Sequence, residues 1–258
     1  MLLEGKNAVV FGAAGYLGRH VMARFEAEGA TVFGSTVRQK AEGTAQVNAR
    51  LAEVDATDEL AVDAYLDRIE AEAGSIDIVV NMSGVEPGKY RHGKPASEVS
   101  LEQFLMPLEV DTASQFITAK SAFRHMAKRG YGIIILNTST LAKVGSPWSP
   151  ALSASHAATE GLMRSLAHEY GPAGVRVLGV RSEAMPDSPT IDYTFSTMGA
   201  NMGLSFDEMK TFIEQNKTAL KKLPLAKDTA AVFAFAASDM AAFMAGTMLN
   251  NSAGHIVD

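Results

Sequence analysis

Six short apolar runs, separated by segments of helical length, constrain this chain more than any other feature. The runs are residues 8–11 (Ala-Val-Val-Phe), 31–33, 76–80, 133–136, 175–180 and 247–249. Most are continuous rather than alternating, which suits strands buried on both faces. Between them, residues 16–28, 59–73, 101–128 and 153–170 have the length and polarity of surface helices. Strand and helix in alternation predict an α/β fold, a Rossmann-type doubly wound parallel sheet with helices on both faces. No linker, repeat or low-complexity segment divides the chain, so residues 1–258 read as a single domain.

Several function classes are disfavoured before any motif is considered. The 23 basic residues against 29 acidic ones leave a net charge of −6, so no basic field is available for nucleic acid. The absence of cysteine removes disulfides, thiolate nucleophiles and Cys-type metal sites, and the histidines show no metal-ligand spacing; no metal is expected. Apart from His156, the histidines (His20, His92, His125, His168 and His255) read as surface or helix residues. Glu4 and Lys6 interrupt the apolar run an export signal needs, and a cytoplasmic location is expected. Residues 230–249 are apolar, but Ser238-Asp239 near their middle makes helix, break, strand the better reading than a membrane span.

In parallel sheets ligands bind beyond the carboxyl ends of the strands. After the first run comes Gly12-Ala13-Ala14-Gly15-Tyr16-Leu17-Gly18, leading directly into a helix. Glycines at this spacing permit a tight turn and close approach of a pyrophosphate, while the helix N-terminus supplies N–H donors. A purely structural turn is the alternative. The second run is followed by Ser35-Thr36-Val37-Arg38, with no acid for a ribose diol, so NADP is favoured over NAD. Arg38 also suits a solvated loop charge.

The order of motifs resembles the short-chain dehydrogenase/reductase superfamily over nearly the whole chain. Asp55-Ala56-Thr57-Asp58 is similar to the family's Asp-Val-Thr-Asp segment, whose first acid contacts adenine. Asn81-Met82-Ser83-Gly84 resembles its Asn-Asn-Ala-Gly signature, and Thr138-Ser139 its paired serines. The resemblance implies that Gly12, Gly15, Tyr16, Leu17, Gly18, Ser35, Arg38, Asp55, Ala56, Asn81, Met82, Ser83 and Gly84 bind NADP or NAD. It also implies a homo-oligomer, most simply a tetramer, joined through the small residues Ala113, Ser114, Ala119, Ala122, Ala154, Ala157, Ala158 and Gly161.

The catalytic pattern departs from the family. Tyr and Lys belong thirteen and seventeen residues after the Ser; counted from Ser139 those places hold Leu152 and His156. The family's Asn falls on Asp111, and Arg181-Ser182-Glu183 stands where Ser-Pro-Gly approaches the nicotinamide. Leucine cannot donate a proton. The expected catalytic set is therefore Ser139, His156 and Asp111, with His156 titrating near neutrality as the proton donor. Residues 185–223, rich in Met and Phe, form the expected substrate lid over an apolar pocket. An oxidoreductase of small, largely apolar carbonyl or alcohol substrates is the first reading. A catalytically silent scaffold, and a non-redox enzyme similar to the halohydrin dehalogenase branch with its aromatic-x-Gly loop, are the alternatives.

Overall fold

The computed structural model describes residues 1–37 and 50–257. Its sheet has seven parallel strands in the order β3-β2-β1-β4-β5-β6-β7. The strands are β1 (Asn7–Phe11), β2 (Thr31–Thr36), β3 (Leu51–Glu53), β4 (Ile78–Asn81), β5 (Gly132–Ser139), β6 (Val175–Ser182) and β7 (Met248–Asn251). The expected runs recur at their predicted places, and β3 is added: two half-buried residues and an exposed Glu53 carry too little apolar signal to mark a strand.

Side chains alternate across the sheet with period two. Ala8, Val10, Ile133 and Ile135 pack against α1 (Tyr16–Ala27) and the last helix, α8 (Ala226–Ala237). Val9, Phe11, Ile134 and Leu136 face the opposite layer of α2 (Glu59–Ala73), α4 (Ala113–Arg129) and α5 (Pro150–Tyr170). Because both faces are covered, the central positions of these strands, Ala8–Phe11 and Ile133–Leu136, are all apolar. Among the described residues no helix is long and apolar enough to cross a membrane. Residues 230–249 fold as the end of α8, a turn at Ser238 and the start of β7.

Two expectations are corrected. Residues 101–128 do not form one helix. They divide into α3 (Leu101–Pro107), a π turn over Leu108–Thr112, and α4. Pro107 has no N–H to continue the α-helical ladder. The Pro107 carbonyl accepts from Ser155 Oγ at 2.9 Å, and the Thr112 hydroxyl donates to the Ser155 carbonyl at 3.1 Å, so α5 braces the turn. The stripe of small residues is also split: Ser114, Ala119 and Ala122 are fully buried and unavailable for an interface, whereas Ala157 and Ala158 are exposed.

Candidate active site

The chain order reverses beside β1, which lies between β2 and β4, and this is where doubly wound folds open a crevice. A cavity of about 660 Å³ extends from there across the ends of β4, β5 and β6 to the helices α6 (Pro189–Met202) and α7 (Phe206–Lys217).

One end is built by the glycine loop. Gly12 has φ +70°, and a Cβ there would lie 2.6 Å from the Met82 carbonyl carbon and the Ser83 nitrogen. A Cβ on Gly18 would lie 2.4 Å from the Gly12 oxygen. These two glycines let loop, β4 exit and α1 pack in van der Waals contact. Gly15 caps α1 without a side-chain hydrogen bond, and the first turn contains no acid. The opening N–H groups of α1 are therefore left to an anion. Burial, and next to it the Asp187 carboxylate from the loop after β6, raise the Tyr16 phenol pKa. Asp187 accepts from Ala226 N at 3.2 Å, which fixes this carboxylate at the start of α8.

Ser139, Leu152, His156 and Asp111 all line the cavity, as do Gly15, Tyr16, Leu17, Gly18, Met82, Ser83 and Gly84. Ser139 ends β5, and its Oγ accepts from Leu141 N at 3.3 Å. Asp111 lies on the π turn, and π turns are frequent at functional sites. Its Oδ1 accepts from Val85 N at 3.0 Å, tying the β4 exit loop to the long helical segment. Burial pushes the Asp111 carboxyl up to about 7, against the lowering effect of the Val85 bond.

His156 does not titrate where its sequence position suggested. Although the ring reaches the cavity, enclosing protein lowers its pKa to about 4, and His92 nearby adds to the effect. Near neutral pH it is an uncharged imidazole, so imidazolium donation at that pH is not its chemistry. Leu152 presents only carbon.

Other expected contacts lie elsewhere. Asn81 is buried beneath the cavity: its amide donates to Ser114 Oγ at 3.0 Å, and its Oδ1 accepts from Ser83 N at 2.7 Å. It shapes the Met82–Gly84 loop from below. Ser35 is fully buried, Ala56 is in the core, and Asp55 Oδ1 accepts from the Thr57 amide and hydroxyl in a tight turn. None of the three borders the cavity, and Arg38 lies outside the described residues. The expected lid is divided between two tasks. Met185, Met198, Met202, Met209 and Phe212 line the cavity, whereas Phe195, Met198, Met209 and Leu223 also form a small core beneath α6 and α7.

The structure adds four lining residues that the sequence did not single out as site residues. Tyr90 and His92 are buried with ring centroids 5.7 Å apart; burial raises the Tyr90 pKa and lowers that of His92 to about 4. His92 is thus neither a surface nor a helix residue. Glu183 and His255 line the cavity near the end of β6, with His255 Nδ1 2.7 Å from Glu183 Oε2. Below the floor, Arg181 donates to both Glu160 oxygens at 2.7 and 2.9 Å, pinning α5 to β6 one helical turn after His156.

Residues 12–255 match a family model described as enoyl-(acyl carrier protein) reductase. A cis-4-hydroxycyclohexanecarboxylate dehydrogenase of Sinomonas cyclohexanicum is 30% identical over 254 residues, spanning 96% of this chain and 95% of that protein. The chain belongs to the short-chain dehydrogenase/reductase family. The 3-oxoacyl-(acyl-carrier-protein) reductase of Haemophilus influenzae is 28% identical over 258 residues, covering 98% of each chain. Sorbitol-6-phosphate 2-dehydrogenase from Erwinia amylovora superposes with a TM-score of 0.87 at 25% identity, over 97% of this chain and all of that one. This is a family of oxidoreductases, and the seven-stranded parallel sheet is its fold.

Proposed function

We propose that this protein is an oxidoreductase that uses a nicotinamide dinucleotide, NADP in preference to NAD, to interconvert a small, largely apolar alcohol and its carbonyl compound through a rebuilt proton-transfer site. One observation carries the reading: a single cavity joins the uncapped start of α1 to Ser139 and to the methionine-rich wall of α6 and α7. The glycine loop fits a dinucleotide diphosphate, because α1 starts without a side-chain cap or an acid in its first turn and Gly15–Gly18 line the cavity. Gly15, Tyr16, Leu17 and Gly18 would hold that part, and the bound nicotinamide supplies hydride exchange, chemistry no side chain provides.

The chain's own residues do the rest. Ser139 offers a hydroxyl to a substrate oxygen at the strand end. Met185, Met198, Met202, Met209 and Phe212 exclude water around an apolar body, with methionines adapting to its shape. Leu152 closes the position from which relatives with a tyrosine donate, so the proton travels by another group.

Titrating the purified protein with NADPH and NADH by fluorescence or calorimetry tests the reading, followed by turnover of cyclic alcohols. Binding of NADPH at lower concentration than NADH, weakened by Arg38→Ala, is expected. No binding of either nucleotide at millimolar concentration defeats it. One feature favours the non-redox alternative: the negative charge of Asp187 acts on Tyr16, the first residue of α1, where it opposes a diphosphate.

A further inference from the structure

At the end of β5, Ser139 pairs in register with Ser182 of β6, and Glu183 is the next residue. Thr140, immediately after Ser139, donates its hydroxyl to Glu183 Oε1 at 3.3 Å. The Ala184 amide donates to the same oxygen at 2.9 Å. Two donors therefore orient one face of the carboxylate, and the other oxygen, Oε2, meets His255 Nδ1 at 2.7 Å. Both side chains are largely buried, 6% and 18% exposed, and both border the cavity. With Oε1 already accepting from two donors, Oε2 is left to accept from His255 Nδ1–H, and in that tautomer Nε2 carries no proton.

The turn bearing His255 is held in place. Ala253 adopts φ +52°, which costs a non-glycine residue free energy, and Gly254 at φ +80° has no room for a Cβ, which would fall 2.5 Å from the Ala219 Cβ. Asn250 Nδ2 donates to the Ile256 carbonyl at 2.9 Å, and Ile256 N donates to Ser252 Oγ at 3.2 Å. A strained turn persists where surrounding contacts over-determine it.

We propose that His255 is the proton-transferring residue of this cavity and Glu183 its positioning partner. Resting on the alcohol/carbonyl reading above, the step is a proton transfer: the substrate O–H bond breaks, Nε2 takes the proton, and an alkoxide remains beside the Ser139 hydroxyl, with the reverse transfer during reduction. Asp111 is the competing group, with its Oδ1 engaged by Val85 N at the β4 exit loop. The other titratable or charged lining groups are Tyr16, Glu86, Tyr90, His92, His156 and Lys217.

The test uses the full chain with labelled histidine, read by nitrogen-detected NMR and by steady-state pH profiles. Cyclohexanol is expected to shift the His255 ring resonances, with the Nδ1–H tautomer present beforehand and lost in Glu183→Gln. His255→Gln is expected to lower kcat by about 100- to 10,000-fold with KM little changed, and to remove one limb of the pH profile. Glu183→Gln should displace that limb, because it removes the charged partner of the ring. Asp111→Asn should leave it in place. If nucleotide binds and turnover proceeds while His255→Gln keeps the wild-type rate and profile, the histidine assignment is overturned and the oxidoreductase reading stands. If no nucleotide binds but cyclohexanol still shifts His255 and not its Glu183→Gln counterpart, the reverse holds. Silence of His255 towards cyclohexanol, with and without nucleotide, overturns the assignment.

Discussion

Replacing Asp111 with Asn isolates the cost of holding a carboxyl group in an enclosed cavity. Burial raises its pKa from 3.8 to about 7, so the native state holds this proton more tightly than the unfolded chain does. By linkage the group's contribution to stability is greatest at low pH and is lost as the pH rises from about 4 to about 7. At about 1.4 kcal/mol per pH unit over that interval, the loss has a ceiling of about 4 kcal/mol. Cavity water screens part of it, and about 1–3 kcal/mol is expected. Asparagine keeps an oxygen for the Val85 amide, now 3.0 Å from Oδ1, and removes the charge. The variant should match the wild type near pH 4 and exceed it increasingly up to pH 8. The assay is urea unfolding of both proteins at half-unit pH intervals, with melting temperature as a second probe at about 2–4 °C per kcal/mol. His92 and His156, each lowered to about 4, run the other way and lose stability as pH falls from about 6.5; being present in both proteins they cancel in the difference. A difference that is flat with pH, or a variant weaker at pH 8 than at pH 5, would refute the argument.

Asp187→Asn removes the charge at the mouth of α1 and keeps an acceptor for Ala226, so NADPH should bind more tightly, by up to about tenfold; an unchanged Kd by calorimetry counts against a diphosphate at that helix start. Glu160→Gln takes a carboxylate from a buried guanidinium and should cost about 3–5 kcal/mol of unfolding free energy, with unfolding at wild-type urea showing that the pair pins nothing. The His156 ring should titrate near pH 4 by NMR, and a midpoint above 6 contradicts its enclosure. Gly12→Ala should abolish nucleotide binding and destabilise the fold through its positive φ and the 2.6 Å contact; normal binding by this variant is the contrary result. Light scattering should report a multiple of 27.4 kDa, and the monomer mass at working concentration would contradict an oligomer.

Six of the seven strands, the glycine loop and the family resemblance were legible in the sequence, because these depend on local signals. Continuous apolar runs are needed wherever both sheet faces are covered, and glycine is needed wherever backbone meets backbone, as at Gly12 and Gly18. It also located Ser139, Asp111, Leu152 and His156, since counting along the strand and helix of a regular fold carries one position to the next. Tertiary structure alone decided what those groups do. No sequence signal reports that His156 is enclosed beside His92, nor that a π turn braced by Ser155 carries Asp111. The strongest omission is His255, which has no local pattern and reaches Glu183, 72 residues away, only because a strained turn after β7 folds it onto the end of β6. Protonation depends on how much water and how many charges surround a group, and those neighbours come from elements far apart in the chain.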